Sequence, residues 1–76
     1  MAIFDFDGTL FDTSVCHGLH NFEEKRKLIS QYRMFEGVEA AINGLKAKGV
    51  QIAVITDNST KTVKDTFKYF GLPELD

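Results

Sequence analysis

Residues 50–56, Val-Gln-Ile-Ala-Val-Ile-Thr, are nearly all apolar and β-branched, with an unbroken apolar run from Ile52 to Ile55. Such a run predicts a strand buried on both faces of a parallel sheet. Residues 2–7, Ala-Ile-Phe-Asp-Phe-Asp, read as a second strand with Phe4 and Phe6 on one face and a polar end. Gly8 and Thr9 break it, and from Leu10 to His20 no period is sustained, so that segment reads as a loop or a single turn. Asn21 followed by Glu24 has capping-box spacing and predicts a helix from Phe22 to about Arg33, supported by Glu23 and Lys27 one turn apart. Phe22, Leu28, Tyr32 and Phe35 read as packing surface rather than a ligand slot.

Val38, Ala41, Ile42 and Leu45 fall at i, i+3, i+4 and i+7, the single apolar stripe of a second helix. Lys46 and Lys48 favour its carboxyl end, and Gly49 is placed to stop it. A third helix is capped by Ser59 or Thr60, carries Val63, Phe67 and Phe70 on one face, and ends at Gly71 and Pro73. The order strand, helix, helix, strand, helix is one βαβ unit with a trailing helix, an α/β class of fold.

A chain of 76 residues holds at most one small domain, and at that size folding buries only about 60% of the unfolded surface. A net charge of −2 provides no electrostatic ground for nucleic acid or an anionic membrane as the main partner. No apolar run approaches the roughly 20 residues of a membrane helix, and two carboxylates by residue 7 stand where a secretory leader needs an apolar core. A single cysteine forms no internal disulfide and suits a reducing compartment. The expectation is a cytoplasmic protein.

The chemistry concentrates at the end of the first strand. Asp5 and Asp7 are two residues apart, so in an extended strand both carboxylates face one way. Loops beyond the carboxyl ends of parallel strands are where open α/β sheets place their sites. Gly8 allows the sharp turn that would hold both groups near one ligand. Two close carboxylates repel, which either pushes one pKa up or calls for a cation between them. Mg²⁺ is the natural cation, because it takes hard oxygen ligands and bridges to phosphate. Asp-x-Asp alone reads as a polar strand end turning through Asp-Gly. The full run Asp5-Phe6-Asp7-Gly8-Thr9-Leu10 behind an apolar strand favours the chemical reading.

Phe4-Asp5-Phe6-Asp7-Gly8-Thr9-Leu10 resembles the first motif of the haloacid dehalogenase (HAD) superfamily, and Phe11-Asp12-Thr13 continues as many members do. Members are mostly Mg²⁺-dependent phosphatases. The resemblance implies a nucleophile at Asp5 that forms an aspartyl-phosphate, and a general acid and base at Asp7. It implies a metal on the Asp5 carboxylate and the Asp7 carbonyl. Val54-Ile55-Thr56-Asp57-Asn58 resembles the second motif. There the Thr56 hydroxyl and the Asp57 backbone N–H would hold the phosphate, with Gly8 counted in the same phosphate-binding set. Many relatives place Asn directly after the Thr. Asp57 takes that place here, with Asn58 behind it, and adds a negative charge.

The implied fold is a partial Rossmann-like, HAD-like three-layer unit, a short parallel sheet flanked by helices. Residues 1–76 would form one incomplete core, with the first motif at 4–10, a short cap-like insert at about 14–35 and the second motif at 52–58. A short insert implies an open site that admits bulky phosphomonoesters as well as small ones. The third-motif Lys and fourth-motif acidic residues are not recognisable, and Lys61 reads as a solvated helix residue rather than their substitute. The chain therefore reads as a fragment, or as one that associates with itself through open strand edges. The expected function is a Mg²⁺-dependent phosphatase. Its rivals are a binding module working through those edges, and a phospho-acceptor in which phosphorylated Asp5 persists. Cys16, His17 and His20 read as a surface loop, and Lys25-Arg26-Lys27 as a solvated helix face.

Overall fold

The computed structural model describes residues 1–19 and 21–75. His20 lies outside them, so expectations resting on it are not met or refused here. Among the described residues four strands and three α-helices follow one another, with short 3-10 turns at Ser14–Cys16 and Ile29–Gln31: β1 (Ala2–Asp5), β2 (Phe11–Asp12), α1 (Phe22–Lys27), β3 (Arg33–Met34), α2 (Val38–Ala47), β4 (Ile52–Ile55) and α3 (Thr60–Tyr69).

The two main strands form the expected parallel pair, in register from Ala2 beside Ile52 to Asp5 beside Ile55. Bonds from Ala2 N–H to the Gln51 carbonyl (2.8 Å) and from Phe6 N–H to the Ile55 carbonyl (3.3 Å) extend the ladder at both ends. Phe6 and Ile52 lie in one core with Ile42 of α2 and with Val63 and Phe67 of α3, so both helices pack on one face of the sheet. The chain is thus an α/β unit in which helices flank a short parallel sheet.

The predicted two-sided burial of the 50–56 strand is not met. Ile3 is 59% exposed and Ile55 is 65% exposed, on the face opposite the core. Two strands and the helices of one face cannot cover both sides, so an apolar run that reads as fully buried is covered on one.

Both longer helices begin and end as their sequences direct. Gly37 at φ +85° precedes α2 and Gly49 at φ +76° follows it, conformations that an L side chain rarely adopts. Ser59 caps α3, its hydroxyl accepting from Thr62 N–H at 3.1 Å. Thr66 Oγ1 in turn donates to the Thr62 carbonyl at 2.7 Å, which lets both buried threonines sit inside the core.

The stretch between the motifs departs further from expectation. Residues expected to form a loop include β2, which pairs antiparallel with β3, Phe11 beside Met34 and Asp12 beside Arg33. The helix expected to reach Arg33 therefore stops at Lys27: residues 33 and 34 are taken by the strand pair, and helical propensity yields to tertiary pairing. Asn21 does cap α1, but it accepts from Glu23 N–H at 2.8 Å rather than from Glu24. Glu23 pairs with Arg26 at 3.0 Å, not with Lys27. Arg26 also reaches Asp65 on α3 at 3.0 Å.

Tyr32 anchors this insert. It is buried at 3% exposure, and its hydroxyl donates to the Lys25 carbonyl at 3.2 Å while accepting from Cys16 Sγ at 3.4 Å. Phe22 and Phe35, expected on the packing surface, are 44% and 42% exposed.

Candidate active site

Parallel pairing brings the ends of β1 and β4 together, so residues that follow each strand meet at one edge of the sheet. Beyond Asp5 the backbone coils tightly. The Phe6 carbonyl accepts from the amides of Thr9, Leu10 and Phe11 at 3.4, 3.1 and 3.2 Å. Gly8 sits at φ +78° and donates its N–H to the Phe11 carbonyl at 2.9 Å. The Phe6 side chain, fully buried against the Phe11 ring 5.3 Å away, pins this coil to the core. The Gly8 amide is thus engaged within the loop itself.

The strand ends at Asp5, and Asp7 belongs to the coil. Asp5 Oδ1 accepts from the Phe6 N–H at 2.9 Å, which orients the carboxylate against its own backbone. Asp7 reaches across to the other strand. Its Oδ2 accepts from Thr56 Oγ1 at 2.9 Å, and its Oδ1 accepts from Thr13 Oγ1 at 2.7 Å. Asn58 Nδ2 lies 3.1 Å from Oδ1 and 3.4 Å from Oδ2. The Asn58 amide nitrogen donates to Thr56 Oγ1 at 3.0 Å and closes the ring of contacts.

Thr13 and Asn58 carry no assigned role in the sequence reading. The signals were there, Thr13 at the end of the first-motif continuation and Asn58 beside the departure at Asp57, but only the fold brings them onto one carboxylate. Asn58 Oδ1 is buried and meets no donor among the described residues, a state that costs about 1–3 kcal/mol for a typical buried polar atom.

Asp57, assigned to phosphate binding, has an exposed side chain. Its N–H would form the next rung of the β1–β4 ladder, onto the Phe6 carbonyl. That carbonyl is already taken by three other amides, and the rung is not made. Among the described residues the Asp57 N–H thus has no backbone partner at the edge where Asp7 and Thr56 meet.

Two nearby titrations depart from the ordinary. The Asp12 carboxyl is held below the usual carboxylate range, first by the Ser14 N–H bond at 2.9 Å, then by the Ser14 hydroxyl, with Arg33 and His17 adding to it. It ties down the turn that follows Thr13. The Tyr32 phenol is pushed well above its ordinary value, first by burial, then by the Cys16 contact, with the Asp7 charge contributing.

Two hollows lie away from this edge. The larger, about 460 Å³, is lined by Lys64, Phe67, Leu72 and Leu75. The smaller, about 250 Å³, lies between Phe4, Thr9 and the start of α2. Asp5, Asp7 and Thr56 line neither, and both carboxylate residues are exposed.

Among the described residues no three His, Cys, Asp or Glu side chains gather to hold a metal. The oxygen donors at the strand end nevertheless suit Mg²⁺, which binds through one or two carboxylates and keeps several waters. The Asp5 carboxylate is such a donor, and the Asp7 carbonyl accepts no backbone hydrogen bond of the turn.

A family model described as haloacid dehalogenase-like hydrolase matches residues 16–75. The chain belongs to this family. Among haloacid dehalogenase-like hydrolases the matched stretch takes in Thr56 and Asn58, while Asp5 and Asp7 precede it and rest on their own motif. No curated protein and no solved structure matches the chain. Among the described residues no helix is long and apolar enough to cross a membrane.

Proposed function

We propose that the chain is a Mg²⁺-dependent phosphomonoester hydrolase working through an aspartyl-phosphate on Asp5. The observation that carries the reading is the bond from Thr56 to Asp7, which joins the candidate acid of one strand to the candidate phosphate donor of the other. An Asp5 carboxylate oxygen attacks phosphorus and the bond to the leaving oxygen breaks. Asp7 delivers a proton to that oxygen. Water, giving a proton to Asp7, then attacks phosphorus, breaks the bond to Asp5 and releases inorganic phosphate. Covalent catalysis of this kind divides one difficult displacement into two easier ones. The Thr56 hydroxyl and the Asp57 N–H hold the phosphate oxygens, replacing water with fixed donors. Mg²⁺, held by the Asp5 carboxylate and the Asp7 carbonyl, would neutralise phosphate charge when bound.

The substrate class is phosphomonoesters, bulky ones included, because the edge is open and the insert short. The test is phosphate release from an aryl phosphate with and without Mg²⁺, beside Asp5→Asn. Release that needs both supports the reading; none above the Asp5→Asn background overturns it for this chain.

A second reading rests on the exposed face carrying Ile3 and Ile55. A module that binds a partner or its own copy there would bury both and leave the carboxylates without turnover. Sedimentation at several concentrations tests self-association. A monomer throughout, unchanged by Ile55→Lys, removes it.

A further inference from the structure

We infer that Asn58 is a positioning residue for Asp7, holding the candidate acid in line for the leaving oxygen. This rests on the phosphatase reading above. Among the described residues Asn58 is the one side chain whose donor reaches both oxygens of the Asp7 carboxylate, at 3.1 and 3.4 Å. Its backbone N–H also fixes Thr56 Oγ1 at 3.0 Å, so a single residue orients the two groups that would act on phosphate and leaving group. A bond from the Thr56 hydroxyl to Asp7 competes with one to phosphate, because that hydroxyl carries a single proton. When substrate takes the Thr56 proton, Asp7 loses one of its donors and depends on Thr13 and Asn58.

The amide carries a penalty that a smaller residue would avoid. Its Oδ1 is buried without a donor among the described residues, so an asparagine here is unfavourable for stability unless its other end is useful. Asp7 is exposed, and water can solvate its carboxylate without help from Asn58. What water cannot supply is a fixed direction. The Nδ2 contact restrains the carboxylate and adds little to the fold.

A restrained acid matters most where the leaving oxygen most needs a proton. Asn58→Ala should reduce kcat for an alkyl phosphate such as glycerol phosphate by roughly tenfold, part of the 10²–10⁴ that general acid–base catalysis supplies. For 4-nitrophenyl phosphate, whose leaving group departs without protonation, the loss should stay below about threefold on the same grounds. KM should hold for both, since Asn58 touches no phosphate donor other than through its backbone. Asn58→Asp, of the same shape, removes the donor and faces Asp7 with a like charge; it should lose more on the alkyl ester and remain folded.

Equal losses on both esters, or a rise in KM alone, overturn the positioning role while the phosphatase reading stands. Wild-type chain that turns over neither ester sinks the phosphatase reading and this role with it. The contact itself is read separately by the ¹⁵N-resolved Asn58 side-chain amide resonances, which should shift in Asp7→Ala. Resonances that do not move overturn the inference whatever the kinetics show.

Discussion

Thr56 Oγ1 donates to Asp7 Oδ2 at 2.9 Å across 49 residues of chain. Asp7 has a like bond nearer in sequence, from the Thr13 hydroxyl at 2.7 Å, but the bond to Thr56 crosses from one strand end to the other. The bond forms because β1 and β4 run parallel in a register that ends Asp5 beside Ile55, and the residues just past those ends face one another. It ties the two halves of the candidate site before any ligand arrives.

Thr56→Val keeps the branched shape and removes the hydroxyl. The contact is exposed at its Asp7 end, so stability should change by no more than about 1 kcal/mol. Turnover of an aryl phosphate should fall about 10- to 100-fold, equivalent to roughly 1.4–2.7 kcal/mol of barrier. Steady-state kinetics beside a thermal melt separate the two effects, and a variant that melts early but turns over normally would refute the assignment.

The core has little reserve. Phe11 is fully buried, with ring centroids of Phe6, Phe67 and Phe70 at 5.3, 6.3 and 5.0 Å. Phe11→Ala should cost about 3–5 kcal/mol, comparable to the roughly 4–11 kcal/mol that a chain of this length holds in total. A urea titration should show the variant mostly unfolded or nearly so. Ile55→Thr, at an exposed position, should stay within about 0.5 kcal/mol of wild type.

Tyr32 predicts an alkaline limit. Burial, the largest cause, keeps its phenol protonated in the folded chain beyond the ordinary value of 10.0. The unfolded chain releases that proton near pH 10, so the contribution is fully present below that pH and is lost as pH rises toward the raised folded value. Tyr32→Phe removes the hydroxyl and should lower stability by about 1 kcal/mol at neutral pH. Its deficit should narrow above pH 10 in melts recorded side by side. A gap that stays constant or widens would contradict the burial argument.

Arg26 fastens the insert to the core. α1 has no buried residue of its own, and Arg26 bridges Glu23 and Asp65, each at 3.0 Å. The Arg26 side chain is 24% exposed and that of Asp65 41%, so solvent screening limits the pair to under about 1 kcal/mol of global stability. Asp65→Ala should leave the melting curve almost unmoved. Hydrogen exchange at the amides of residues 25–28 should accelerate, and unchanged exchange would show that α1 is held by other contacts.

Much of this protein was legible in the order of its residues. Local rules decide the starts and stops of α2 and α3, because a capping serine, a glycine at positive φ and an apolar stripe act within one or two turns. The first-motif carboxylates and Thr56 were likewise recognisable as short strings, since their residue types and spacing carry the signal. Tertiary structure alone decided three things. It cut α1 short, because Arg33 and Met34 gain more by pairing with Phe11 and Asp12 than by extending a solvated helix. It left Ile3 and Ile55 open to solvent, because burial depends on what else packs on a strand and not on the strand's own composition. It brought Thr13 and Asn58 onto Asp7, since contacts between segments 6 and 51 residues apart follow from strand register and turn geometry, which no local pattern encodes.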